Sequence, residues 1–416
     1  MPRAPGGSCP RWTLVDRQDL STATVGLFAR RPAHQLTSGS RHIKDYAGPV
    51  KLFSCDNCQR VLFFENSRCM NCGKNVGYCV ELAKIVTLQH QTGSSQGAVY
   101  EVFFPNQGLR HYRQCKNGRD HDACNWLVPA ESGQQLCQSC RLTEIVPDLS
   151  VTQNLVAWSG IEAAKRRLLY TLFQLKLPLS SRQEWPSEGV AFHFLRSTGD
   201  EVVMTGHDEG VITLNIAEAD SAFRENMREK MGEAYRTVLG HLRHEIGHYY
   251  WDRLIRNSAS LQGFRQLFGD DTQDYDQAVQ RHYEQGAPAN WTESYISAYA
   301  TMHPWEDWAE TWAHYLHMID TLETAKSHAL SLRVPAAERT GDQISTDSLA
   351  FRDFDSLTSN WNAVTLALNS LNRSMGLKDA YPFVLSPRVL EKLRFVHDLI
   401  QSRRAEQKSE SLRATG

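Results

Sequence analysis

The chain has 416 residues, 45 Lys and Arg against 47 Asp and Glu, and 41% hydrophobic residues. That length can bury a sizeable core without disulfides, and two or three domains of roughly 100–200 residues are expected. No stretch reaches the about 18 apolar residues of a membrane span and the N-terminus lacks the apolar core of a secretion signal, so a soluble cytoplasmic protein with no membrane role is expected. Residues 1–146 carry 17 basic and 11 acidic side chains and the remainder 28 and 36, an excess too thin and scattered to specify nucleic acid.

Residues 1–49 are rich in Arg, Ser, Pro and Gly around one apolar patch, Val25-Gly26-Leu27-Phe28. They read either as a disordered tail or as sequence upstream of a true start near Val50. Residues 50–146 hold the clustered cysteines and two strand-like runs, Arg60–Phe64 and Ala98–Phe104, which predict a small β-rich module stapled by metal. Helical periodicity then runs from Asn154 to Leu175, followed by strand-like Gly189–Leu195 and Gly210–Ile216. Helices are expected over Ser221 to about Leu239, from Arg236 or His241 to Ile255, and over Tyr275–Tyr283, Glu293–Ala300, Trp305–Leu322, Leu349–Leu371 and Ser386–Arg403. A disordered tail is expected at 406–416. The fold class is α+β: a zinc-ribbon-like module, then a domain over 150–405 that is largely helical in its later half.

Cys55-x-x-Cys58 and Cys69-x-x-Cys72 are separated by ten residues, the spacing of two knuckles that close one tetrahedral site of four thiolates. Gly73 suits the tight turn after the second pair. Cys115, Cys124 and the pair Cys137-x-x-Cys140 make a second set, looser in spacing. In a chain without a secretion signal such clusters favour structural zinc over disulfides. Cys9 and Cys79 stand outside both sets and are not expected to bind metal.

His244-Glu245-Ile246-Gly247-His248 carries the chemistry. Histidines four apart lie on one helical face and can point at a single ion, while Glu245, one residue along, stands where a base for a zinc-bound water belongs. Zinc lowers the pKa of such a water towards about 7 and polarises a carbonyl. The glutamate then takes the proton and delivers it to the leaving amine, so a peptide or amide bond is the natural target. The preceding Leu214-Asn215-Ile216 segment is expected to line the cleft. His241 could compete as a ligand or simply pack nearby.

A catalytic zinc needs a third protein ligand. Trp251 and Leu254 stand where the metzincin extension requires Gly and His, which excludes that class. Downstream, Glu306 and Glu310 lie one turn apart on a mostly apolar segment, where buried carboxylates want a cation or donors. Glu306 is expected as ligand and Glu310 as the carboxylate that orients a ligand histidine. Asp307 is the closest rival, with His303, Glu293 and His314 behind it. Trp291, Trp305, Trp308 and Trp312 line either a subsite or the core.

The stretch Gly240–Trp251, followed by Glu306-Asp307-Trp308-Ala309-Glu310, resembles the gluzincin arrangement, and its Glu-x-x-Ala-Glu form is similar to that of the anthrax lethal factor group. The resemblance implies an oxyanion-stabilising tyrosine seven residues before the ligand glutamate, where Tyr299 stands, although Tyr295 is near enough to make packing an equal reading. From Lys51-Leu52-Phe53-Ser54-Cys55 through Cys124-Asn125-Trp126-Leu127-Val128-Pro129 to Trp308-Ala309-Glu310, the chain resembles a bacterial family of zinc-binding metallopeptidases with an N-terminal zinc-ribbon region. That likeness covers about residues 51–400 and implies one catalytic and two structural zinc ions and a peptide or protein substrate. The alternative is a zinc-ribbon adaptor that binds nucleic acid or protein, its zincin domain latent. A small-substrate amidase or deacylase is a third possibility.

Overall fold

The computed structural model describes residues 52–94, 97–199, 202–230, 235–332, 344–345 and 353–414. The expected tail at 1–49, with Cys9 and the start near Val50, lies outside the described residues. β1 (Leu52–Ser54) and β2 (Val61–Phe63) pair antiparallel across the first knuckle, and β3 (Val76–Cys79) and β4 (Lys84–Thr87) pair beyond the second. β5 (Gln89–Ser94), β6 (Gly97–Phe104), β7 (Gly108–Gln114) and β8 (Leu127–Pro129) form a four-stranded antiparallel sheet. Aromatic and β-branched residues are prominent in β2, β3, β4 and β6 because they suit a pleated, half-buried surface. A short helix, α1 (Lys116–His121), starts directly after Cys115.

β9 (Thr143–Ile145), within the span expected for the cysteine module, joins a different sheet. With β10 (Ala191–Leu195), β11 (Gly206–Asp208) and β12 (Val211–Asn215) it forms a sheet in the order β11-β12-β10-β9. β10 and β12 run parallel, and β11 folds back antiparallel on β12 as the edge strand. β12 is therefore interior, with Leu214 fully buried, and the sheet's edge strands are β11 and β9 rather than the Leu214–Ile216 segment.

The helices are α2 (Thr152–Gln174), α3 (Ser221–Lys230), α4 (Val238–Leu254), α5 (Leu261–Phe268), α6 (Tyr275–Gln285), α7 (Pro304–Ser327), α8 (Phe354–Ser374) and α9 (Pro387–Ala414). The long helix expected over Ser221–Leu239 does not run through to Leu239: α3 covers Ser221–Lys230, and Tyr235–Thr237 are not helical. There the Thr237 hydroxyl accepts the Gly240 N–H at 2.9 Å and caps α4, a competition that Thr wins at helix starts. No helix forms over Glu293–Ala300. Ser386 takes the Glu293 carbonyl (2.8 Å) and Lys392 the Ser294 carbonyl (2.6 Å), so side chains of α9 and its lead-in hold acceptors that a helix would use. Two 3-10 turns, Trp291–Glu293 and Tyr299–Thr301, stand in its place. α5 has no counterpart among the expected helices, and α9 continues through 406–414, expected as a disordered tail.

The cysteine module and the helical domain share one core. Phe64, Tyr78 and Trp126 stack edge-on or tilted against each other and against Tyr170 and Phe173 of α2, with ring centroids 5.1–6.4 Å apart. Trp126 is fully buried and Tyr78 and Tyr170 nearly so. Below this seam α2, α4 and α7 are laced by buried polar contacts: Asp320 accepts from both Arg243 and Thr171, and Tyr170 donates to Glu323 at 2.7 Å. Among the described residues no helix is long and apolar enough to cross a membrane.

Candidate active site

α4 presents His244 and His248 on one face, and α7 brings Glu306 opposite them. His244 Nε2 and His248 Nε2 are 3.2 Å apart, and Glu306 carboxylate oxygens lie 3.0 Å from the first and 3.6 Å from the second. Donors bound at about 2.0–2.1 Å to one tetrahedral ion would be separated by roughly 3.3 Å, so the three fit a zinc ion. α4 and α7 can approach this closely because of Gly247: a Cβ there would stand 3.1 Å from Ala309 Cα and 3.2 Å from the Trp312 ring. Trp308 fixes the contact by donating its indole N–H to the Gly247 carbonyl at 2.8 Å.

His244 Nδ1 lies 2.8 Å from Glu310 Oε1, whose other oxygen accepts from Ser297 at 2.6 Å. This is the carboxylate–histidine arrangement that fixes a ligand's tautomer and orientation. Burial alone raises the Glu310 carboxyl, but the His244 hydrogen bond and charge bring it down to about 2. Burial likewise opposes charge on Glu306, yet His248 and His244 hold it well below the usual carboxylate range. Glu245 is buried beside the pair, and desolvation pushes its carboxyl up against the pull of both imidazoles. A carboxylate of raised proton affinity is suited to general-base work.

The rivals for the third ligand are otherwise engaged. Asp307 is fully buried and paired with Lys392 of α9 at 2.6 Å. His303 caps α7, accepting the Trp305 N–H at 3.1 Å, and His314 meets the Tyr381 hydroxyl at 3.1 Å. Glu293 is exposed. His241 turns its Nδ1 towards Glu218, 3.6 Å away, and stays out of the cluster. Tyr295 stacks on the Lys392 ammonium at 4.3 Å, while the Tyr299 ring lies 5.9 Å from that of His244. Burial, followed by the charge of Glu306, pushes the Tyr299 hydroxyl well above its ordinary value, so it remains a donor.

Sequence reasoning missed three neighbours. Tyr275, at the start of α6, donates to Glu306 Oε1 at 2.8 Å. His207, on edge strand β11, stacks 6.1 Å from His248. Ser297 braces Glu310. None sits at a spacing that marks it, since each reaches the site through the fold. Trp305 packs on His248 with centroids 3.7 Å apart, whereas Trp308 and Trp312 are fully buried core.

Both cysteine sets converge. Cys55, Cys58, Cys69 and Cys72 form one cluster and Cys115, Cys124, Cys137 and Cys140 the other. The closest sulfur pairs are 3.7 Å (Cys55–Cys72), 3.6 Å (Cys58–Cys69) and 3.7 Å (Cys124–Cys137), against roughly 3.8 Å for thiolates on a tetrahedral zinc and about 2.05 Å for a disulfide. The knuckles are built alike: Gln59 and Gly73 follow the second cysteine of their pairs at φ +58° and +72°, donating to the Cys55 and Cys69 carbonyls. In the second cluster the Trp126, Cys137 and Cys140 N–H groups approach sulfur at 3.4–3.5 Å, which favours thiolate. Cys79 belongs to neither cluster, and burial pushes its thiol up to about 12.

A helix-borne pair of histidines facing a glutamate, joined to two thiolate clusters, defines a zincin-like domain with a zinc-ribbon module. Residues 154–399 match the family described as "Putative zinc-binding metallo-peptidase", and residues 52–151 match a zinc-ribbon domain. The chain belongs to that zinc-binding metallopeptidase family. Proteins of Mycobacterium tuberculosis (strain ATCC 25618 / H37Rv) and Mycobacterium bovis, each described as an uncharacterized protein, are 43% identical to it over 349 residues, covering 84% of this chain and 94% of theirs. No solved structure matches the chain.

Proposed function

We propose that this chain is a gluzincin-type zinc peptidase of the bacterial cytoplasm, hydrolysing peptide bonds, with one catalytic zinc held by His244, His248 and Glu306. The two thiolate clusters hold structural zinc. The mutual separations of 3.0–3.6 Å among the two imidazoles and the Glu306 carboxylate, with a buried Glu245 alongside, carry this conclusion. Zinc there supplies an acidified water and a polarised carbonyl.

The chain's own groups divide the remaining work. Glu245 accepts a proton at its carboxylate and returns it to the departing amine. Glu310, steadied by Ser297, accepts the His244 Nδ1–H and keeps Nε2 free to ligate. Tyr299 donates its hydroxyl towards the oxygen that gains charge at the scissile carbonyl. Among the described residues the outer edge of β11, beside α4, is unpaired, and an extended peptide can add to it.

A nucleic-acid adaptor fits less well, because residues 52–146 carry nine Lys and Arg against eight Asp and Glu, no basic patch by composition. The test is metal content of the full chain. Three zinc ions per chain are expected in the wild type and two in Glu306→Gln; retention of all three in the variant overturns the ligand assignment.

A further inference from the structure

Glu306 has two oxygens, and the fold treats them differently. Oε2 faces His244 Nε2 at 3.0 Å, while Oε1 lies farther from an imidazole, 3.6 Å from His248 Nε2, and accepts the Tyr275 hydroxyl at 2.8 Å. Tyr275 is not free to wander. It is the first residue of α6, whose N-terminus is capped by Asp274 accepting the Gln277 N–H at 2.9 Å. Its ring packs edge-on against His303 (5.4 Å) and Trp305 (5.9 Å). A phenol keeps its proton at neutral pH and offers one O–H donor.

A carboxylate can bind zinc through one oxygen or two, and the choice sets whether the site is four-coordinate with one open position or more crowded. We propose that Tyr275 is a positioning residue that reserves Glu306 Oε1 and so makes Glu306 a one-oxygen ligand. The proposal rests on the metal site described above. It assigns to α6, a separate element with no ligand of its own, the control of coordination number.

The experiment uses the full chain with both thiolate sites filled with zinc, after dipicolinate has stripped the remaining site and cobalt has been loaded there. Wild type gives the strong visible bands of four-coordinate cobalt. Tyr275→Phe, which keeps the ring packing, is expected to give the weaker bands of five-coordinate cobalt and to bind zinc about 10–100-fold less tightly. Retention of the two thiolate-bound zinc ions serves as the control for folding. An unchanged spectrum in Tyr275→Phe overturns the role of Tyr275. A wild-type chain that takes up no third ion instead overturns the metal site itself.

Discussion

Glu245 and Lys392 illustrate two ways in which one residue matters to this site. Glu245 touches no partner that the fold needs, so Glu245→Gln should keep all three zinc ions and the melting temperature while peptide cleavage falls by about 10²–10⁴-fold. Comparison of protein termini in cells carrying wild type and variant checks this and reveals the substrates. Lys392 works from outside. Its ammonium joins the fully buried Asp307, next to Glu306, to the Ser294 carbonyl, three residues before Ser297. Lys392→Met leaves the Asp307 carboxylate buried and unpaired, which should cost about 3–5 kcal/mol in urea denaturation. Adding Asp307→Asn should recover part of that loss. The histidines, Glu245 and the acidic pair were legible in the sequence because helical spacing alone puts them on common faces. Lys392, Tyr275 and His207 were not, because only tertiary packing brings them within reach.

Among the elements, the α4–α7 contact sets the precision of the site. Gly247 faces α7 with little room for a Cβ, and Gly247→Ala must push against the backbone at Ala309 and the Trp312 ring. A destabilisation of about 1–3 kcal/mol is expected in thermal or urea unfolding, together with weaker binding of the third zinc in chelator competition. The helix forecasts succeeded where apolar periodicity was long, as in α2, α7 and α8. They failed over Glu293–Ala300, where Ser386 and Lys392 hold the backbone carbonyls, a competition invisible to local pattern. α5 escaped notice because eight residues with a central Gly263 give little periodic signal, although Phe264 and Phe268 anchor it in the core.

At the scale of the molecule, the cysteine module is fused to the helical domain through the seam of Phe64, Tyr78, Trp126, Tyr170 and Phe173. Trp126→Ala should therefore cost about 3–5 kcal/mol and lower one shared unfolding transition rather than split it in two. Calorimetry separates these outcomes, and two well-resolved transitions would contradict the shared core. The sequence suggested separate modules because cysteine spacing is a local signal, whereas the seam and the passage of β9 into the sheet with β10, β11 and β12 are not. The position of Lys392 also bears on how the protein is made. It lies 85 residues beyond Asp307. At about 5–20 residues per second, synthesis of that interval takes roughly 4–17 s, during which His244, Glu245, His248 and Glu306 already exist in the nascent chain. The brace beneath them arrives last, so while the chain is still being synthesised the candidate zinc site lacks the ion pair that holds Asp307 beside Glu306.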